Sequence, residues 1–338
     1  FQGYKCPCFE ATDNLFGNDE VVLPKLTNKD LTVITPTVVE FCTSKDSAIG
    51  KAIQNNNSSR RVNSVKVTIR RFTIDDDLTK SSTLARLLRQ IQHVRCEELT
   101  LMGSLPCTGG STWNVKNEID FIRTNNVEGL ARLEQRWILF RRLAKQFKTI
   151  IKFFIWKLAV IINEWPAGCR YWRTKEWLDV LKEMRERSVS QRVKHRDVGV
   201  DGCMYGVMNR YGIPMQKPWT FNVSAEDVEK LNLFQNTLSI KCDGSHAHVW
   251  TRGVDAKLSE HYPARLAKKL VECIVEVTKT AIGWQSGRTS AELNAKNGTH
   301  VPISSAWNDL AKRMYAMTIW SGKMAQVGPL PGYTGLRI

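Results

Sequence analysis

Short runs of apolar and β-branched residues alternate along this chain with segments of helical period, and that alternation most restricts its fold. Residues 31–42 are rich in Val, Ile and Thr and read as a buried strand, and residues 47–53 open a helix. Residues 62–72 alternate, with Val65, Val67 and Ile69 on one face and Lys66, Thr68 and Arg70 on the other. A helix over 82–91 places Leu84, Leu87, Leu88 and Ile91 on one stripe. A third strand spans 99–105. A long helix follows over 127–156, with Leu130, Leu133, Trp137, Phe140, Leu143, Ala144 and Phe147 inward. A fourth strand covers 158–163 and stops before Pro166. Further on, 176–187 and 263–280 are helical and 198–208 and 219–223 are strands, with Ser224 placed to cap a helix beyond Glu226 and Asp227. The order predicts an α/β fold, doubly wound, with a mainly parallel sheet and helices on both faces.

The periodic part runs over residues 31–282. Residues 1–30 form an irregular arm that contains Cys6-Pro7-Cys8, and its opening Phe1-Gln2-Gly3 reads as the remnant of a cleavable tag. Residues 283–338 form a C-terminal extension with one short helix at 307–317. Apolar runs stay short of a membrane span, and the longest, 150–162, is broken by Lys152 and Lys157. Nine cysteines at irregular spacing do not suggest a disulfide framework, so a reducing, intracellular compartment is expected, the nucleus if the source is eukaryotic. Lys and Arg outnumber Asp and Glu by 49 to 33, and a net charge of +16 favours a polyanionic partner, nucleic acid above an anionic membrane. The outer face of the long helix supplies candidate phosphate contacts: Arg132, Arg136, Arg141, Arg142, Lys145 and Lys148, joined by Arg170 and Arg173.

In parallel sheets ligands bind beyond the carboxyl ends of the strands, and four segments after predicted strands carry reactive groups. The first is Glu40-Phe41-Cys42-Thr43-Ser44-Lys45-Asp46-Ser47, a strand running through a polar loop into a helix, as a cofactor loop does. The second contains Asp75, Asp76 and Asp77, carboxylates placed to accept from ribose hydroxyls. The third is Pro106-Cys107-Thr108-Gly109-Gly110-Ser111. There a strand-end thiol is placed for a depressed pKa, and the glycines leave room for a substrate. The fourth is Asn163-Glu164-Trp165-Pro166, where partial desolvation raises the glutamate pKa as a proton donor requires. A fifth group lies within 198–250: Cys203, Cys242, His246 and His248. This set of thiols and imidazoles suits zinc, and His246 and His248, two apart, would share one face of a strand.

Taken in order, these motifs resemble the cytosine-5 DNA methyltransferase family, over roughly residues 31–206. Phe41 matches the family's Phe-x-Gly, which departs here at the glycine, Pro106-Cys107 matches its Pro-Cys, and Glu164 alone matches its Glu-Asn-Val. Its later Gln-x-Arg-x-Arg signature has no convincing counterpart. The resemblance implies a Rossmann-like methyltransferase domain that binds S-adenosylmethionine through Glu40, Phe41, Cys42, Thr43, Ser44, Ser47, Asp75, Asp77 and Pro106. It also implies a catalytic pair, Cys107 as nucleophile and Glu164 holding the base, acting on DNA in preference to RNA. The chain is similar, too, to retroelement-associated open reading frames with a Pro-Cys-Thr, a Glu-x-Pro and a late Cys-x-Gly-x-His-x-His segment. Two other readings stand beside catalysis. One is an inactive methyltransferase-like nucleic-acid-binding module, to which the missing glycines point. The other is a zinc-stabilised structural protein of a mobile element.

Overall fold

The computed structural model describes residues 35–59, 65–91, 94, 98–154, 160–187, 193–251 and 253–286. The predicted N-terminal arm, the start of the first strand and the C-terminal extension beyond residue 286 lie outside them, and residues 283–286 continue the last helix. The first strand, β1 (Thr37–Thr43), leads into helix α1 (Ala48–Asn57), then β2 (Thr68–Thr73), α2 (Ser81–Ile91) and β3 (Leu99–Gly103). Two helices follow, α3 (Thr112–Arg123) and α4 (Val127–Phe154), before β4 (Val160–Pro166) and α5 (Lys175–Arg187). The second half contains β5 (Lys194–Asp201), β6 (Met215–Gln216), β7 (Pro218–Ala225), α6 (Val228–Leu238), β8 (Val249–Trp250), α7 (Gly253–Leu258) and α8 (Ala264–Ser286).

Six strands form one sheet in the order β2-β1-β3-β4-β7-β5. β1, β2, β3 and β4 pair in parallel, whereas β7 runs antiparallel to both β4 and β5. The mainly parallel α/β sheet expected from the strand–helix alternation is therefore present, with one reversed strand. β6 and β8 make a separate two-stranded ribbon.

Strand alternation divides the core between the two faces. Val38, Met102, Val160, Ile162, Phe221 and Val223 join Ile49 and Ile53 of α1, Leu231 and Phe234 of α6, and Leu266, Leu270 and Ile274 of α8. From the opposite side of β1, Phe41 packs on Phe147 of α4, with ring centroids 5.6 Å apart. The inward stripe of α4 is as its period predicts, since Leu133, Phe140, Leu143, Ala144 and Phe147 are all buried.

The predicted helix cap is corrected. Ser224 is a buried strand residue. The cap of α6 is Asp227, whose side chain accepts from the Glu229 amide at 2.8 Å, because the strand continues through Ala225. The segment 112–123, which shows no inward apolar stripe, is helix α3; Asn114 is its only buried residue, and Ile119 and Ile122 face outward.

Candidate functional site

The strand order reverses direction of growth between β1 and β3, and ligands in such sheets bind beyond the strand ends at that crevice. Glu40 to Thr43, Ser104 to Cys107 and Asn163 to Glu164 all end on this edge, because their strands run parallel.

The loop after β1 is held from within. Glu40 is buried, and both its carboxylate oxygens accept from the Ser47 hydroxyl, at 2.9 and 2.7 Å. Ser47 in turn caps α1 by accepting from the Gly50 amide at 2.8 Å. Burial holds the Glu40 carboxyl above its usual range, against the opposing pull of Ser47 and Arg71. Cys42 adopts the left-handed backbone, with φ of 67°, where the strand register breaks between Phe41 and Thr43. Glycine is the residue that reaches this conformation without cost, so the loop keeps a glycine-like turn on a cysteine. Burial pushes the Cys42 thiol up. Of the other cofactor candidates, Phe41 turns its ring into the core and leaves its carbonyl to the Ser104 amide at 2.9 Å. Thr43 is buried near Glu40, Ser44 is exposed, and Pro106 is half-buried. Asp75 lies across from the loop, paired with Lys45 at 2.9 Å. Asp77 faces away into its own turn, bonded to Thr79 and Lys80.

Cys107 and Glu164 lie within electrostatic reach of one another where β3 and β4 end. Burial pushes the Cys107 thiol up to about 11, and the neighbouring Glu164 charge adds to the effect. The expected depression of this pKa is therefore corrected: the loop is too enclosed to favour a thiolate, and the nearest acid repels one. Glu164 behaves as expected, its carboxyl pushed up to about 7 by burial. Its Oε2 accepts from the Tyr262 hydroxyl at 2.8 Å, while Oε1 is buried without a hydrogen-bond partner. Lys217 lies in the same electrostatic neighbourhood, its Nζ bonded to the Ser259 carbonyl and, at 3.1 Å, to the Ser259 hydroxyl. Burial draws its amine below the usual lysine range, opposed by Glu164, Cys107 and Glu260. Tyr262 and Lys217 lie far along the chain from Glu164, in segments with no motif to mark them.

The glycines beside Cys107 do not leave open space, which corrects a second expectation. A Cβ on Gly109 would collide with the Tyr171 hydroxyl, and one on Gly110 would stand 2.6 Å from the Tyr171 ring. The ring itself stacks on Phe140 with centroids 3.6 Å apart. Trp165, where the resembled family has asparagine, donates from its indole to the Leu105 carbonyl at 2.7 Å and packs against Phe140, Tyr171, Trp172 and Trp177. These residues clamp the end of β4 to the Pro106-Cys107 loop.

The basic candidates divide by environment. Arg132 pairs with Glu128, Arg141 with Glu134 and Glu176, Lys148 with Glu183, and Arg170 with Glu118. Arg136 donates to Asn114 Oδ1 at 3.2 Å. Arg142, Lys145 and Arg173 are exposed and, among the described residues, have no ion pair. The uniformly basic face read from the sequence is thus partly neutralised, by Glu128 and Glu134 of α4 itself and by Glu176 and Glu183 of the neighbouring α5.

Cys203, Cys242, His246 and His248 converge, with one ligand atom from each lying within 4.8 Å of the others. Cys242 Sγ is 3.7 Å from His246 Nε2 and 3.4 Å from His248 Nε2. Zn–S bonds near 2.3 Å and Zn–N bonds near 2.0–2.1 Å put tetrahedral ligands roughly 3.3–3.8 Å apart, so the set is able to hold a metal such as zinc. The histidines come from a loop before β8, not from a strand as expected; the turn at Gly244, with φ of 77°, brings them back onto Cys242. Cys203 arrives from the turn after β5, and Asp201 Oδ2 accepts from the Cys242 amide at 2.8 Å. That carboxylate fixes one ligand's backbone.

Among the described residues, no helix is long and apolar enough to cross a membrane. A scan against protein-family models and a search of curated proteins both find no match.

Proposed function

We propose that this chain transfers a methyl group from S-adenosylmethionine to a nucleic-acid base, cytosine in preference to others and DNA in preference to RNA. One observation carries the reading: a thiol and a carboxyl, Cys107 and Glu164, lie within electrostatic reach of one another at the carboxyl ends of β3 and β4, and Glu164 keeps a buried oxygen with no partner. A buried acceptor or donor left without a partner costs about 1–3 kcal/mol, and a substrate group that bonds it recovers that cost.

In this mechanism Cys107 Sγ forms a bond to a ring carbon of the base. The thiol proton passes by way of Glu164 to the ring nitrogen, and the adjacent ring carbon becomes nucleophilic. A Glu164 carboxyl near neutrality in its titration is suited to give and take that proton at pH 7. When bound, S-adenosylmethionine supplies an electrophilic methyl group. Loss of the ring proton and cleavage of the sulfur–carbon bond then return Cys107. A base in a duplex leaves its stack to reach such a site. The residues that would hold the cofactor fit it in two respects. The backbone at Cys42 already makes a glycine-like turn ahead of the α1 N-terminus, and Asp75 offers a carboxylate across from that turn. The net charge of +16 and the exposed Arg142, Lys145 and Arg173 support a nucleic-acid partner. Zinc at the Cys203 cluster is structural in this reading, since four protein ligands leave no open position.

A second reading is an inactive scaffold. It is favoured by Glu40, whose two oxygens are both occupied by Ser47, and by the Lys45–Asp75 pair. A mechanism-based cytosine analogue separates the two. Methyl transfer predicts a covalent adduct that maps to Cys107 and disappears in Cys107→Ser, with calorimetric binding of S-adenosylhomocysteine retained. An adduct on another cysteine, or no adduct and no cofactor binding, defeats the proposal.

A further inference from the structure

The Glu164 carboxyl is not placed by its own strand alone. Its Oε2 accepts a 2.8 Å hydrogen bond from Tyr262, 98 residues further along, in the turn between α7 and α8. Tyr262 is itself fixed on two sides, by Trp219 with ring centroids 5.9 Å apart and by Phe221 at 5.8 Å. Phe221 is also the β7 residue paired with Glu164 across the sheet. Ser104, just after β3, is a side-chain neighbour that draws the Tyr262 phenol down against the effect of burial. The amide of the same serine donates to Phe41 in β1.

We infer that Tyr262 is the positioning residue for Glu164: its hydroxyl holds Oε2 and leaves Oε1 as the free end that meets a substrate base. The inference rests on the methyl-transfer reading for the identity of that substrate, but not for the contact itself. A carboxyl with two equivalent oxygens has no fixed orientation until one of them is engaged. Tyr262 breaks that equivalence, and it does so from the C-terminal half of the domain, so the site is complete only when α8 is docked. The charged and titratable groups that face this carboxyl among the described residues are Lys217 just before β7, Cys107 from the loop after β3, Cys169 from the turn after β4, and Tyr262; Glu40 and Glu260 lie in the same network. A tyrosine that only fills space between Trp219 and Phe221 would lose little when its hydroxyl is removed. A positioning tyrosine would lose its hold on the carboxylate form, because a donated hydrogen bond favours the charged acid.

Isotope-edited infrared difference spectroscopy on the 338-residue chain, without base or cofactor, reads this directly. The Glu164 carboxyl band is assigned by its loss in Glu164→Gln. The wild-type midpoint is expected at about 7. Tyr262→Phe raises it by about one pH unit and broadens the band as the carboxyl samples both orientations. An unchanged midpoint in folded Tyr262→Phe overturns the inference, even if activity falls. Should Tyr262→Phe fail to fold, Ser104→Ala decides: an upward move of a few tenths of a pH unit supports the chain Ser104–Tyr262–Glu164, and none overturns it. Absence of methyl transfer in wild type would defeat the functional reading while leaving this titration as the test of the contact.

Discussion

Glu164 imposes a stability cost that its neutral analogue would remove. The carboxyl is pushed up to about 7 from an ordinary 4.5 by burial. Between those values the folded chain holds a proton that the unfolded chain has released, so stability falls as pH rises through this window. At about 1.4 kcal/mol for each pH unit, the full penalty at pH 8 is on the order of 3 kcal/mol, and at pH 5 it is under about 1 kcal/mol. Glu164→Gln keeps the acceptor for Tyr262 and removes the charge. It should therefore stabilise the fold by about 2–3 kcal/mol more at pH 8 than at pH 5, a rise of roughly 5–10 °C in melting temperature. Urea denaturation of both proteins at the two pH values measures the difference of differences, in which titrating groups that do not interact with Glu164 cancel. Equal effects at both pH values, or a larger gain at pH 5, would refute the assignment of Glu164 as a buried acid titrating near neutrality. The same variant should be inactive in methyl transfer, so stability and turnover are expected to move in opposite directions.

Protein prepared without a histidine tag should carry about one equivalent of zinc, and Cys242→Ser should lower both metal content and melting temperature; full stability without metal would contradict the cluster's structural role. Asp201→Asn, which weakens the support of the Cys242 amide, should reduce zinc affinity by about tenfold, read by competition with a chelating dye. Gly110→Ala should destabilise by about 1–3 kcal/mol because its Cβ would meet the Tyr171 ring, and an unchanged urea midpoint would show that the ring yields freely. Charge reversal at Arg142 and Lys145 should weaken DNA binding and lower its salt slope by about two, more than reversal at Arg141 and Lys148, whose charges are already matched by acids. Equal losses from both pairs in a fluorescence titration would argue against that division.

The sheet is legible because its strands are buried on both faces, so β1, β3 and β4 read as continuous apolar runs. The placement of Cys107 and Glu164 on one edge of the sheet is legible for a related reason: each follows an apolar run at the carboxyl end of its strand. The metal set is legible because Cys242, His246 and His248 lie within seven residues. Tyr262 and Lys217 are not, since what makes them part of the site is the docking of distant segments, and no local pattern records that. Gly109 and Gly110 mislead because a glycine marks close approach without saying by what, and here it is Tyr171. The charge on α4 misleads in part because Glu176 and Glu183, which answer some of it, sit on α5, outside its own period.

The reversed strand has a consequence for synthesis. Among the described residues β5 pairs only with β7, and β7 is what joins it to β4, yet β5 leaves the ribosome first. Vectorial growth can lay β1, β2, β3 and β4 side by side as they appear, but β5 must wait unpaired until residues 218–225 arrive and slot in between. During that interval the nascent chain exposes two open strand edges, β4 and β5, each a template for the wrong partner. A pause in translation between β5 and β7 should therefore promote aggregation, whereas a pause after β7 should not.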